Sequence, residues 1–93
     1  MEKYAARRVK QEIDRVLWEV WDPIGVNQFP NARDEYSGYV NGVFGLLTSG
    51  ASDESIAEHL LRIATDKMEL AGPTVAHMRP TVVALRAIKL PSD

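Results

Sequence analysis

The sequence contains no cysteine. That excludes a disulfide scaffold, a cysteine nucleophile and a thiolate metal site. It also lacks a dominant charge: 11 Lys and Arg against 13 Asp and Glu leave a formal net charge of −2. Such a chain does not read as a nucleic-acid binder, which needs a basic patch with aromatic or helix-turn-helix context. No apolar run approaches the ~20 residues of a membrane span, so no membrane partner is expected. The opening residues, Met1 to Arg8, are too charged for the apolar stretch of a signal peptide, and a cytoplasmic protein is the expectation. No alternating strand pattern, internal repeat or low-complexity tract occurs.

At 93 residues, 45% of them hydrophobic, the chain has material for one domain, residues 1–93, with a single core. The apolar spacing is helical throughout, and the expected fold is all-α: three main helices and a short fourth. Residues 3–21 form the first, with Val9, Ile13, Val16, Leu17 and Val20 on one stripe. Pro23 ends it by pushing Asp22 out of the α region. Pairs four residues apart, Arg8–Glu12, Lys10–Asp14 and Arg15–Glu19, support its outer face. Residues 22–31 form a proline-stiffened loop with Ile24, Val26 and Phe29 as apolar anchors. The second helix is expected over 32–49, capped by Asn31, with Asp34 and Glu35 in its first turn and Tyr36, Val40, Val43, Phe44 and Leu47 facing inward. Gly50 ends it. Ser52 caps a third helix over 53–70, with a Glu58–Arg62 pair outside and Gly72-Pro73 as its stop. Pro80 opens a fourth over 80–90, with Val82, Val83, Leu85 and Ile88 as a diffuse apolar face. Residues 91–93 read as a frayed tail.

The least ordinary stretch is a window without charge. From Tyr36 through Ser52 no Asp, Glu, Lys or Arg occurs. At about 100° per residue, Gly38, Asn41, Gly42 and Gly45 fall opposite the core stripe of the second helix. Interior glycines each cost a helix about 0.8–1 kcal/mol relative to alanine. A solvated face would normally carry lysine or glutamate there. A face of small residues lets another backbone come close, either from a partner molecule or from another helix of the same chain. A short or bent helix that tolerates the glycines is a third reading.

Trp18 points away from the first helix's stripe. An exposed tryptophan suits a binding hot spot; the alternative is that the loop of residues 24–29 folds over it. Asp22, Asp34 and Glu35 form an acidic set. Paired carboxylates can do acid–base work or hold a hard cation. Adjacent Asp34 and Glu35 diverge on a helix, however, and dipole stabilisation and loop hydrogen bonds explain all three. His59 and His77 are distant in sequence and outside any His-Glu-x-x-His pattern. The serines lack a Gly-x-Ser-x-Gly context, and the glycines lie within a helix rather than on a phosphate-cradling turn. No catalytic residue, metal-ligand set or cofactor is therefore expected.

The run Trp21-Asp22-Pro23-Ile24-Gly25-Val26, followed by Pro30 and then Asp34-Glu35-Tyr36, resembles a family of small bacterial all-helical proteins of unknown function. That family pairs a W-D-P-I-G-V loop with a downstream D-E-Y. The resemblance runs over roughly residues 9–70. It implies a bacterial, cytoplasmic helical domain with a shared loop-to-helix corner, and it brings no reaction. In that corner Trp21 and Ile24 would anchor the loop, Asp22 would tie its amides, and Tyr36 would pack below with its hydroxyl available.

These features point to a non-enzymatic protein-binding module of accessory, regulatory or immunity type, with a second copy of itself or another protein as partner. Its expected surface comprises Trp18, Asp22, Asp34, Glu35, Tyr36, Gly38, Asn41, Gly42 and Gly45. Two alternatives stand beside it. One is a small hydrolase or cation-dependent enzyme using Asp22, Asp34, Glu35 and His59; the other is a purely structural domain.

Overall fold

A computed structural model describes residues 1–91. The chain is an all-α bundle of four helices, α1 (Lys3–Val16), α2 (Val40–Thr48), α3 (Asp53–Arg62) and α4 (Arg79–Arg86), with no strand among the described residues. Of the expected tail, Ser92 and Asp93 lie outside the described residues.

The extended backbone of Glu2 starts α1, and its carboxylate accepts the Tyr4 and Ala5 amides at 3.1 and 3.3 Å. Val9, Ile13 and Val16 bury as the spacing requires. The helix then continues through a widened turn, Leu17–Trp21, closed by the Asp22 amide on the Leu17 carbonyl five residues back. One extra residue per turn changes the aim of each side chain. Leu17, Trp18 and Trp21 enter the core, while Val20, expected on the stripe, is 41% exposed. The helix ends at Asp22, where Pro23 predicted the stop, in a left-handed conformation with φ +31°.

The second helix is shorter than its pattern. It begins at Val40, not at residue 32, and Asn31 is no cap. Residues 29–39 instead fold as consecutive tight turns. The amides of Ala32, Arg33, Glu35, Ser37 and Tyr39 each bond a carbonyl three residues back, and Pro30–Ala32 and Ser37–Tyr39 are 3-10 turns. The reason is tertiary. Three residues per turn set Tyr36 and Tyr39 on one side, and both rings then meet Trp21, at centroid distances of 5.5 and 6.2 Å. Most of the expected core stripe survives this change: Tyr36, Val40, Val43 and Leu47 are buried, whereas Phe44 is only partly buried against the core.

Gly50, at φ +77°, ends α2 as expected. The Ala51 amide returns to Leu46 and the Gly50 amide to Leu47, which satisfies two terminal carbonyls. Ser52 caps α3 through the Ser55 amide at 3.1 Å. Like α1, α3 finishes in a widened turn, Ile63–Lys67, followed by a left-handed residue, Glu69 at φ +55°. The chain thus leaves the helix before Gly72-Pro73, the expected stop. A 3-10 turn, Val75–Met78, then leads into α4. Pro80 sits in the first turn of α4 as predicted. Val82, Leu85 and Ile88 point inward, whereas Val83 is 63% exposed.

Helix α1 packs on α2 and α4, and α3 packs on α2, α4 and the Val75–Met78 turn. Arg86 locks the far end, donating to Asp53 at 2.6 Å and to the Ala51 carbonyl. Two expected surface pairs are present, Arg8–Glu12 at 2.8 Å and Arg15–Glu19 at 2.9 Å. Two are not. Asp14 binds Arg33 at 2.9 Å and the Ser37 hydroxyl at 3.3 Å, leaving Lys10 over the Phe44 ring. Arg62 stands beside His59 rather than pairing with Glu58.

Candidate functional site

The loop-to-helix corner is built around the Asp22 carboxylate. Its left-handed backbone turns the side chain toward the loop that follows. Oδ1 accepts the Val26 amide at 2.8 Å and the Tyr36 hydroxyl at 2.7 Å, and Oδ2 accepts the Asn27 amide at 3.3 Å. The Tyr36 hydroxyl in turn accepts the Ile24 amide at 3.4 Å. That hydroxyl was expected to be available, and it is fully engaged. Burial, reinforced by the hydrogen bond to Asp22, holds the Tyr36 phenol well above its ordinary pKa of 10.0. The group is a neutral donor at any physiological pH. Asp22 ties loop amides as the sequence suggested, but Ile24 is no anchor. It is 38% exposed; of the expected loop anchors Ile24, Val26 and Phe29, Val26 packs against the core.

An aromatic cluster lies beneath. Trp21 and Tyr36 are in tilted contact, Tyr39 meets Trp21 edge-on, and the Trp21 indole N–H donates to the Met78 sulfur at 3.3 Å. Trp18 belongs to the same cluster, with its ring 6.3 Å from Tyr36. It is only 9% exposed, so it is not an exposed hot spot. Its cover differs from the expected one as well. Arg33 lies 5.3 Å over its ring, while Phe29 remains 51% exposed. Asp14 secures this lid by binding Arg33 and Ser37 together.

Asp34 and Glu35 are exposed on the tight turns, and neither begins a helix. Asp22, Asp34 and Glu35 are not among the residues that line the groove between α1 and the entry to α2. Among the described residues, no three His, Asp or Glu side chains gather in a way that could hold a metal ion. His77 has a structural duty: its Nδ1 accepts the Thr74 amide at 3.0 Å and completes the cap of the Val75–Met78 turn.

The small face lies elsewhere on the bundle. Asn41, Gly42, Gly45 and Ser49 are exposed along α2, and Gly38 is exposed on the 3-10 turn before it rather than inside the helix. The three glycines differ. A methyl group at Gly42 would meet His59 Nε2 at 3.2 Å, whereas at Gly38 and Gly45 it would meet nothing within 4 Å. His59 is therefore half-buried against α2, not freely solvated. Burial first, and then the Arg62 charge, lowers its pKa below 6.5.

No family model, no curated protein and no solved structure matches this chain. The site rests on its own geometry.

Sequence reasoning did not find Asp14, Arg33 or Met78 in these roles. Their partners lie 15 to 57 residues away, beyond any helical period. The basic start of the chain, Lys3, Arg7, Arg8 and Lys10 against Glu2, reads in the sequence as a solvated helix face, yet Lys3, Arg7 and Lys10 follow the inner edge of α1. There a signal existed: the residue four places after Lys3 is Arg7, and four after Arg7 is Gln11, so neither has an acidic partner on its own helix.

Proposed function

We propose that the chain is a non-enzymatic protein-interaction module of accessory, regulatory or immunity type, working in the cytoplasm through the outer face of α2. One observation carries the reading: Gly45 costs α2 helix propensity and has open space above it. Contact with His59 accounts for Gly42, but no contact among the described residues accounts for Gly45. A flat, uncharged strip of Asn41, Gly42, Gly45 and Ser49 on a rigid helix suits close approach by another protein. The Asp22–Tyr36 corner serves as the brace that fixes the entry to α2, since its polar groups are consumed by one another.

The Gly45→Arg variant tests this. The side chain enters open space, so folding is retained and helix propensity improves. The expected result is lost self-association in sedimentation, or lost recovery of a partner that co-purifies with the wild-type chain. Unchanged mass together with unchanged partner recovery would overturn the proposal. Gly42→Arg is the poorer test, because it also strikes His59.

A further inference from the structure

An open groove of about 510 Å³ runs between α1 and the entry to α2. Lys3, Arg7 and Lys10 line one wall, and Ser37 and Asn41 stand on the other. The charges on α1 are sorted between its two sides. On the outer side, Arg8 and Arg15 are neutralised by Glu12 and Glu19. On the groove side, Lys3, Arg7 and Lys10 have no carboxylate partner among the described residues. The one acid in the lining, Asp14, is already held by Arg33 and Ser37. Two of the cations are oriented without being neutralised. Arg7 lies 5.8 Å from the Tyr4 ring and Lys10 lies 4.9 Å over Phe44. A chain of net charge −2 thus presents a concentrated positive strip, about 10 Å long at 1.5 Å per residue.

We propose that this groove docks an acidic helical segment of another protein. The inference rests on the interaction-module reading and gives the partner its chemistry. Lys3, Arg7 and Lys10 follow the i, i+4, i+7 spacing of one helix face, and carboxylates repeated at the same spacing on a facing helix would meet them in register. The other wall leads onto the small face of α2, where a facing backbone approaches without steric opposition. A symmetric second copy does not fit, because a two-fold axis through the groove would set the cations against themselves. A polyanionic nucleic acid is disfavoured by the acidic remainder of the chain.

The probe is a synthetic alanine-based helical peptide with Glu at i, i+4 and i+7. A matched peptide with Gln at those positions is the control. Titration of the isotope-labelled protein is followed by amide chemical shifts. The Glu peptide is expected to shift residues 3–14 and 37–45, to lose affinity as salt is raised, and to exceed the Gln peptide. An Arg7→Glu/Lys10→Glu variant, both positions being exposed or half-buried surface, should keep its helical circular dichroism. It should bind the Glu peptide about tenfold more weakly and should instead bind a Lys-bearing peptide. Equal binding of the Glu and Gln peptides overturns the proposal. So does binding of a single-stranded RNA or of anionic phosphatidylglycerol vesicles in place of the peptide. If Gly45→Arg loses its partner while the charge-reversed variant keeps it, the interaction reading stands and the acidic-helix inference falls. If neither variant changes anything, both fall.

Discussion

Asp22 does two jobs that are usually divided between residues. Its backbone adopts the left-handed turn that glycine most often supplies, and its side chain accepts from two amides and a phenol. Substitutions separate the two. Asp22→Ala should cost roughly 2–3 kcal/mol, from lost hydrogen bonds plus left-handed strain. Asp22→Gly should recover about 1 kcal/mol of that, because glycine removes only the strain. Tyr36→Phe keeps the ring packing and should cost about 1–2 kcal/mol through the lost hydroxyl. Urea denaturation of the three variants measures all of this. His59 predicts a pH effect. Its folded pKa lies below 6.5, so the unfolded chain takes up the proton first as pH falls. Stability should therefore be fully present above pH 6.5, decline as pH drops below it, and level off below the folded pKa. In His59→Gln that part of the slope should vanish from pH-dependent melting.

At the scale of elements, α1 and α3 share a construction. Each ends in a widened turn and then a left-handed residue that is not glycine, Asp22 in one case and Glu69 in the other. Asp22 is compensated by its carboxylate bonds, whereas among the described residues no side-chain hydrogen bond of Glu69 offsets its φ of +55°. Glu69→Gly should therefore raise stability by about 0.5–1 kcal/mol, and Gly50→Ala, at φ +77°, should lower it by about 1 kcal/mol. Thermal melts read both. The same comparison explains what was legible locally. The α1 span up to Pro23, the Ser52 cap, the Gly50 stop and Pro80 in a first helical turn all depend on neighbours within a few residues, and all were readable; the Glu2 cap of α1 was not read. The start of α2 was not. Residues 32–39 have a helical apolar period, but the pull of Trp21 on two tyrosines tightens them into 3-10 turns. Asp34 and Glu35 consequently look like a helix entrance and are not one.

Over the whole molecule, the Cα radius of gyration is 12.9 Å, near the ~12 Å expected of a compact domain this long. One core joins all four helices, from Val9 on α1 to Leu85 on α4. Both indoles are buried in it, at 9% and 8% exposure. Unfolding followed by tryptophan fluorescence should coincide with the loss of helical circular dichroism, and iodide should quench the native protein poorly. Separate transitions would show that the aromatic corner and the α3–α4 end melt independently. The long-range ties oppose that outcome: Arg8 reaches the Lys89 carbonyl, Arg86 reaches Asp53, and Trp21 reaches Met78.

The sequence by itself determined the all-α class, the single core, three of the four helix starts and an uncharged strip along α2. These follow from periodicity, proline, glycine and caps, which act over a few residues. Only the tertiary structure decided which groups were left free. It buried Trp18 under Arg33, consumed the Tyr36 hydroxyl on Asp22, and gave Asp14 to Arg33 instead of Lys10. It set His59 against exposed Gly42 and left Gly45 with open space above it. Each of these outcomes depends on side chains brought together from distant parts of the chain, where burial and competition for hydrogen-bond partners, not local spacing, set the result.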